Sequence, residues 1–383
     1  MKTGTERILT THCGSLPRPQ TLRQLQLGKA AGEAVNDEVY DIAVRDATFE
    51  TVRRQVECGL DVVNDGEMPK IGGFNGYVRA RLFGFEGGDT EPRPVPGMIS
   101  DFPDFASGQA SIPRPVGHGE LRWKDFTVVE RDCENLAAAA QDSAAAEAFI
   151  TASSPGTIFN HNANRFYATR GAYLEALADV MKREYDAIVG AGLLLQIDCP
   201  DLAASRDTFY ADLSTAAFLK MAAENVEVLN HATRDIPPDR MRMHVCWGAG
   251  AGPHNRDIEL REVLDVILAA RPAGLVLAAA NSRHDWEWEV WKDVRLPDDK
   301  VIIPGVIDST TTTVEHPETV AQRIIRYARV VGRERILAGV DCGMGYWTPE
   351  RPAFGVVPTI AWAKCRALSE GAARASDRLW SRD

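Results

Sequence analysis

Short apolar runs rich in Val, Ile and Leu alternate along this chain with longer amphipathic stretches, and most of the short runs end on polar residues. The runs are RILTTH (7–12), DVVNDGE (61–67), PRPVGHGEL (113–121), AFITASSP (148–155), LLLQIDCP (193–200), MRMHVCWG (241–248), GLVLAAAN (274–281), VIIPGVID (301–308) and ILAGVDCG (336–343). Their apolar character is nearly continuous rather than strictly alternating, which predicts strands covered on both faces. Between them, 36–58, 171–190, 211–232, 257–270, 316–331 and 357–379 repeat apolar residues at three- and four-residue spacing and predict helices with one buried side. Strand and helix in repeated alternation predict an α/β protein of the (β/α)8 TIM-barrel type, a single domain over 1–383. A doubly wound open sheet is the other arrangement this order permits. Nine runs are one more than a barrel holds, so one belongs to a hairpin or an accessory strand.

The stretch 68–112 breaks the rhythm with KIGGFNGY, GFEGGDTEPRPVPG and DFPDFASG, rich in Gly, Pro and aromatic residues. This Gly/Pro-rich insertion follows the second strand. In a barrel it would fold over the catalytic face as a lid, or run as a passive surface excursion. No internal repeat or interdomain linker is visible.

Composition narrows the classes. With 383 residues, 45% hydrophobic and 25% charged, the chain reads as an ordinary globular protein. A formal charge of −11 argues against nucleic acid or an anionic membrane as a partner, since both need clustered Lys and Arg. No apolar run approaches the ~20 residues of a spanning helix. The N-terminal MKTGTERILTTHCGS lacks the apolar core of a signal peptide, so a cytoplasmic location is expected. Seven scattered cysteines fit reduced thiols, some of them metal-bound, better than a disulfide framework.

In a barrel, chemistry sits at the C-terminal ends of the strands. Here those ends carry His12, Ser15, Asp65, Glu67, His118, Glu120, Ser153, Ser154, Asp198, Cys199, His244, Cys246, Asn281, Asp308, Asp341 and Cys342. His244 and Cys246 stand two apart on one strand, so their side chains leave the same face. They are either two ordinary buried side chains or part of a metal site. Cys342 closes a later strand and could reach the same point, or could be a small buried hydrophobe. Zn2+ is the natural ion for imidazole and thiolate together.

Several motifs, taken in order, resemble one family nearly end to end: TTHCGSLPRP (10–19), DGEMPK (65–70), LQIDCPDLA (195–203), HVCWG (244–248) with GPH (252–254), NSRHDWEWEVW (281–291), GVIDSTTTTVEHPETVA (305–321), DCGMG (341–345) and WAKCRAL (362–368). They are similar to the catalytic domain of cobalamin-independent methionine synthases, and most of all to short single-domain members resembling epoxyalkane:coenzyme M transferase. The resemblance implies a (β/α)8 barrel with a catalytic Zn2+ held by His244, Cys246 and Cys342. It implies that a small thiol is activated as a zinc thiolate for attack on an alkyl donor, which would be an epoxide, a methyl compound or a folate. A free thiol with a pKa of ~8.5 is mostly protonated at neutral pH, whereas a metal-bound one is not.

The same resemblance implies that Cys13, Gly14 and Ser15 contact the thiol substrate, and that Glu67 and Asp198 are catalytic and hold an amino group of the substrate. Arg283 would bind a carboxylate or sulfonate, or else form a salt bridge to Asp285. The Trp residues 286, 288 and 291 read as packing.

The chain also departs from the pattern. Family members carry a zinc-binding Glu where LVLAAANSRH has Ala278, so matched positions supply three ligands at most. Asp285 or Glu287 is an alternative source of a carboxylate. The proton-donating His expected after GVID aligns with Thr310. The nearby His316 is the remaining candidate for that catalytic role, although with Glu315 and Glu318 it also reads as a helix cap. The small residues of CWGAGAG should enlarge the pocket. Three functions follow as expectations: a zinc-dependent alkyl or methyl transferase; a zinc lyase or hydrolase using the position opened by Ala278; and a non-catalytic ligand-binding paralogue. Partners would be a small thiol and an alkyl donor, with no nucleic acid or membrane, and a homo-oligomer is compatible.

Overall fold

Six of the nine apolar runs join one parallel sheet in the computed structural model, which describes residues 1–106, 113–248, 250, 252–345 and 356–381. The strands are β1 (Val62–Asn64), β2 (Glu147–Ser153), β3 (Leu194–Asp198), β4 (Met241–Val245), β5 (Gly274–Leu277) and β6 (Val301–Pro304). They lie side by side in sequence order, each parallel to the next. A doubly wound sheet needs a point where strand order reverses. This sheet has none, and it curls.

The runs 7–12 and 336–343 meet the sheet through isolated parallel bridges: Ile302 with Ile336, Gly305 with Gly339, Thr10 with Ala338, and Thr11 with Val62. Thr11 N–H donates to the Ala338 carbonyl at 2.9 Å, and Ala338 N–H to that of Leu9 at 2.8 Å. The remaining run is the accessory one. Arg114–Gly117 pairs with Thr90–Glu91 and Ala163–Asn164, away from the main sheet.

Helices separate the strands, and short polar caps explain where they begin. Asn36, Thr169 and Ser214 each accept a backbone N–H three residues on, starting Asp37–Glu57, Arg170–Gly190 and Thr215–Ala232. Glu259 and Glu262 form a reciprocal capping box at Leu260–Leu268, and Pro occupies the first position of Pro317–Val331 and Pro358–Trp380. The helix Thr127–Gln141 is not among those the periodicity predicts; it buries Val129, Cys133, Leu136 and Ala139 on one side. No helix among the described residues is long and apolar enough to cross a membrane.

Burial is divided between two clusters. The larger packs helices on the sheet's outer face. The smaller takes Cys13 together with Leu9, Val62, Phe149, Leu194, Val276, Ile303 and Leu337, one from each bridged segment and from each strand except β4 around the inside of the curl. Two residues further along, the same inward face becomes polar. Arg242 donates to Thr11 Oγ1 (2.9 Å) and to the His12 carbonyl (2.8 Å), with its guanidinium 4.1 Å above the Phe149 ring. One more step of two brings Asp198 and His244, register partners on β3 and β4, to the C-terminal end of the sheet.

The segment following β1 contains the helix Gly73–Arg81 and the short strand Leu82–Phe83, paired with Arg122–Trp123. Its turn Gly97–Asp101 rests on loops that leave the C-terminal ends of β3 and β4: Met98 N–H donates to Asp207 (3.1 Å), and Asp101 pairs with Arg256 and Asn255. Positions 107–112 of the expected insertion lie outside the described residues.

Candidate metal centre

His244 is the fourth residue of β4, and the strand period carries Cys246 to the same face just beyond it. Cys342 arrives from the segment bridged to β6. The ligand atoms of these three residues lie within 4.8 Å of one another. His244 and Cys246 are buried, at 4% and 6% exposure, and Cys342 is half-buried. The His244 Nε2 atom is buried with no hydrogen-bond partner among the described residues. An orphaned ring nitrogen costs free energy unless something occupies it. A soft N/S donor set around it fits a zinc-type ion.

Proton sharing within the cluster supports the same reading. A hydrogen bond from Cys342, helped by His244, holds the Cys246 thiol well below its ordinary pKa despite burial, while Cys342 moves well above its own. Burial alone would lower His244; the sulfur atoms of Cys13 and Cys246 outweigh it and raise the imidazole. One sulfur is thus already disposed to be thiolate, the form that binds metal.

Asp341, next to Cys342, secures this corner. Its carboxylate accepts N–H bonds from Ala279 (2.8 Å), Ala280 (2.7 Å) and Asn281 (2.9 Å), the residues that follow Ala278. Burial nevertheless lifts its pKa to about 6. The carboxylate passes so close to Gly305 that a Cβ there would meet Oδ1 at 1.9 Å.

The loop Cys13–Ser15 is brought to the cluster. Cys13 Sγ lies 3.7 Å from His244 Nδ1. Gly14 has φ +143°, and a Cβ on it would press Glu67 Oε1 at 2.8 Å and Thr151 Cγ2 at 2.9 Å. The Ser15 carbonyl accepts from Met344 N–H at 2.8 Å, tying the loop to the DCGMG segment.

Glu67 adopts φ +57°, unusual outside glycine, with its N–H bonded to Asp65 (2.9 Å) and Oε1 accepting from Thr151 Oγ1 (3.0 Å). Burial raises its pKa against Lys70 and Arg18. Burial lifts Asp198 to about 7; His244 pulls against this and Glu67 adds to it, so the two carboxyls and the imidazole feel one another.

Arg283 and His316 are not among the buried groups around the cluster. Arg283 is exposed, and among the described residues its side chain reaches the Asn255 carbonyl, at 3.5 Å. Its expected salt-bridge partner Asp285 pairs instead with Arg323 and Arg326. His316 is exposed at the start of Pro317–Val331, where Nδ1 accepts from Glu318 N–H at 3.1 Å, so the geometry gives it the cap. Glu287 and Asp285 do not replace the missing carboxylate either: Glu287 is spent on His284 (2.9 Å) and on Leu260 N–H (2.8 Å). His12 is held by Gln55, and burial lowers it to about 3.

Residues not singled out beforehand also matter. Lys70 is buried and donates to Thr151, and Gln196 donates to Asp198 (2.9 Å) and to the Cys13 carbonyl (2.6 Å). Gln196 lies one strand period before Asp198, a signal present in LQID. Farther out, His284 bridges Asp257 (3.0 Å) and Glu287 beneath Trp247, stacked at 4.3 Å. His254 also contacts Asp257, at 2.7 Å. Burial opposes charge on His284, but the two carboxylates prevail and push it up to about 9. This knot anchors the loop that leaves Cys246.

A parallel α/β sheet with an imidazole and two thiols converging at its C-terminal end defines a class of candidate metal-site proteins. The model of the cobalamin-independent synthase catalytic domain matches residues 121–353, a span that contains all three cluster residues, and the chain belongs to that family. It is 25% identical over 360 residues to the YxjH protein of Bacillus subtilis (strain 168), covering 87% of this chain and 86% of the relative. A methionine synthase of Sulfolobus acidocaldarius is 24% identical over 348 residues, covering 88% and 85%. The fold matches that of a B12-independent methionine synthase from Shewanella sp. W3-18-1, solved with selenomethionine, at TM-score 0.71 and 18% identity over 97% of this chain and 99% of that one.

Proposed function

We propose that this chain is a zinc-dependent transferase that places a methyl or other alkyl group on a small thiol held beside His244, Cys246 and Cys342. The observation that carries the reading is the convergence of those three donors within 4.8 Å, with the Nε2 of the same imidazole buried and without a partner among the described residues. A bound ion would supply the charge that keeps a substrate thiol deprotonated at neutral pH. The chain's own groups do the rest. The Cys13–Ser15 loop closes one wall, and buried Glu67 and Asp198 offer carboxyl groups to an ammonium on the substrate, as an amino thiol would carry. Names of the relatives favour a homocysteine-like thiol and a methyl donor.

In this reading the bridged runs 7–12 and 336–343 complete the ring as the first and eighth strands of a (β/α)8 barrel. The turn Gly97–Asp101, docked on the loops after β3 and β4, belongs to a lid over its mouth. The test is turnover of zinc-loaded protein with a panel of small thiols and methyl donors, read as thioether by mass spectrometry. Product that requires both thiol and metal, and disappears in Cys246→Ser, supports it; no thioether with any pair overturns it.

A second reading rests on Ala278, which leaves the centre without the family's carboxylate. A lyase or hydrolase would turn over with no thiol added, whereas the transferase would not.

A further inference from the structure

We propose that Cys13 is a positioning residue of the metal centre: its sulfur accepts the Nδ1–H of His244 and so leaves Nε2 as the ligand atom. The inference rests on the reading of His244, Cys246 and Cys342 as a metal site. It concerns a different atom of the imidazole and a residue otherwise expected only to touch substrate.

Three observations converge. Cys13 Sγ is 3.7 Å from Nδ1, within range of a hydrogen bond to sulfur, whereas Nε2 of the same ring is buried and unpartnered. The Cys13 sulfur is outside the set of ligand atoms that lie within 4.8 Å of one another, so it stands beside the ring and not in the cluster. Its own thiol proton is committed to the Val340 carbonyl at 2.6 Å, two residues before Cys342. The proton count closes: Nδ1–H donates to Sγ, S–H donates to the carbonyl, and Nε2 keeps its lone pair.

The support is rigid because the backbone around Cys13 is held from across the sheet. Gln196 donates to the Cys13 carbonyl (2.6 Å), Arg242 to that of His12 (2.8 Å), and Gly14 N–H to His12 Nδ1 (3.2 Å). A metal-bound histidine commonly gives its second N–H to a carboxylate or carbonyl, which sets both tautomer and ring orientation. Here a buried thiol fills that role and also touches the bridged segment that delivers Cys342. With Ala278 providing no carboxylate, orientation of the three remaining donors carries more of the affinity.

The experiment compares zinc affinity, by competition with a chromophoric chelator, in wild type, Cys13→Ser, Cys13→Ala and the ligand control Cys246→Ser, alongside the absorption spectrum of each cobalt-substituted protein. Serine can accept from Nδ1–H and donate to Val340, so Cys13→Ser should bind zinc nearly as wild type and keep full sulfur-to-cobalt charge-transfer intensity. Cys13→Ala should lose roughly 10- to 100-fold in affinity, the usual effect of removing such a partner. Cys246→Ser should lose charge-transfer intensity. Unchanged affinity in Cys13→Ala overturns the proposal alone, as does lost charge-transfer intensity in Cys13→Ser, which would make Cys13 a ligand. A wild-type chain that binds no zinc overturns the metal-centre reading as well. If Cys13→Ala does not fold, the cobalt spectrum of Cys13→Ser still decides between support and ligand.

Discussion

Asp341 Oδ1 accepts the backbone N–H of Ala280 at 2.7 Å, joining the residue beside Cys342 to the segment that follows Ala278. The neighbouring N–H groups of Ala279 and Asn281 reach the same carboxylate. The position of one cysteine and the shape of the wall opposite it are therefore one structural quantity. Asp341→Asn replaces one acceptor oxygen by a donor facing these N–H groups. The expected result is a stability loss of about 1–3 kcal/mol, the scale of an unsatisfied buried group, together with weaker zinc binding. Chemical denaturation and chelator competition check the two effects separately.

Glu67 and Asp198 should discriminate among thiols by their amino group. In Glu67→Gln and Asp198→Asn, KM for an amino thiol should rise about tenfold or more, about the worth of one charge-assisted hydrogen bond, while KM for the same thiol lacking the amine stays within about twofold. Equal losses for both thiols would assign these carboxyl groups to chemistry or folding instead.

Ala278→Glu places a carboxylate where relatives of this chain are expected to have one. The variant should bind zinc more tightly and remain a transferase. Reactions that need the open position and no thiol should fall instead, so comparing thiol-dependent with thiol-free turnover in this variant separates the two classes of chemistry.

The His284 knot predicts a pH signature in stability. Its folded-state pKa is raised to about 9 by Asp257 and Glu287, above the ordinary value of 6.5. The stabilisation is therefore fully present below about pH 6.5 and is lost as pH rises through about 9. The thermal midpoint of the wild type should fall across this window, and His284→Gln should be less stable near pH 6.5 with a flatter decline. Parallel curves for the two proteins would contradict the assignment.

Much of this was legible in the sequence because it is local. The i, i+2 spacing of His244 and Cys246, the apolar strands that end on polar residues, and the helices expected over 36–58 and 171–190 all follow from short-range periodicity. What was not legible is long-range. Cys13 meets His244 across 231 positions, and Asp341 clamps Ala280 across 61. No local pattern encodes such meetings, because they arise only when the sheet curls. The status of 113–121 was hidden for a related reason: its composition suits a strand, but its hydrogen-bond partners are Thr90–Glu91 and Ala163–Asn164. His316 shows the converse, since two roles fitted its sequence and the backbone geometry shows one of them, the helix cap.

X-ray absorption at the zinc edge, on zinc-loaded protein before and after adding a small thiol, tests the central claim most directly. The account predicts one nitrogen and two sulfur ligands, with one light-atom ligand at the open position before the thiol arrives and a third sulfur after it. A shell without the two protein sulfurs, or one that ignores every thiol offered, would contradict it.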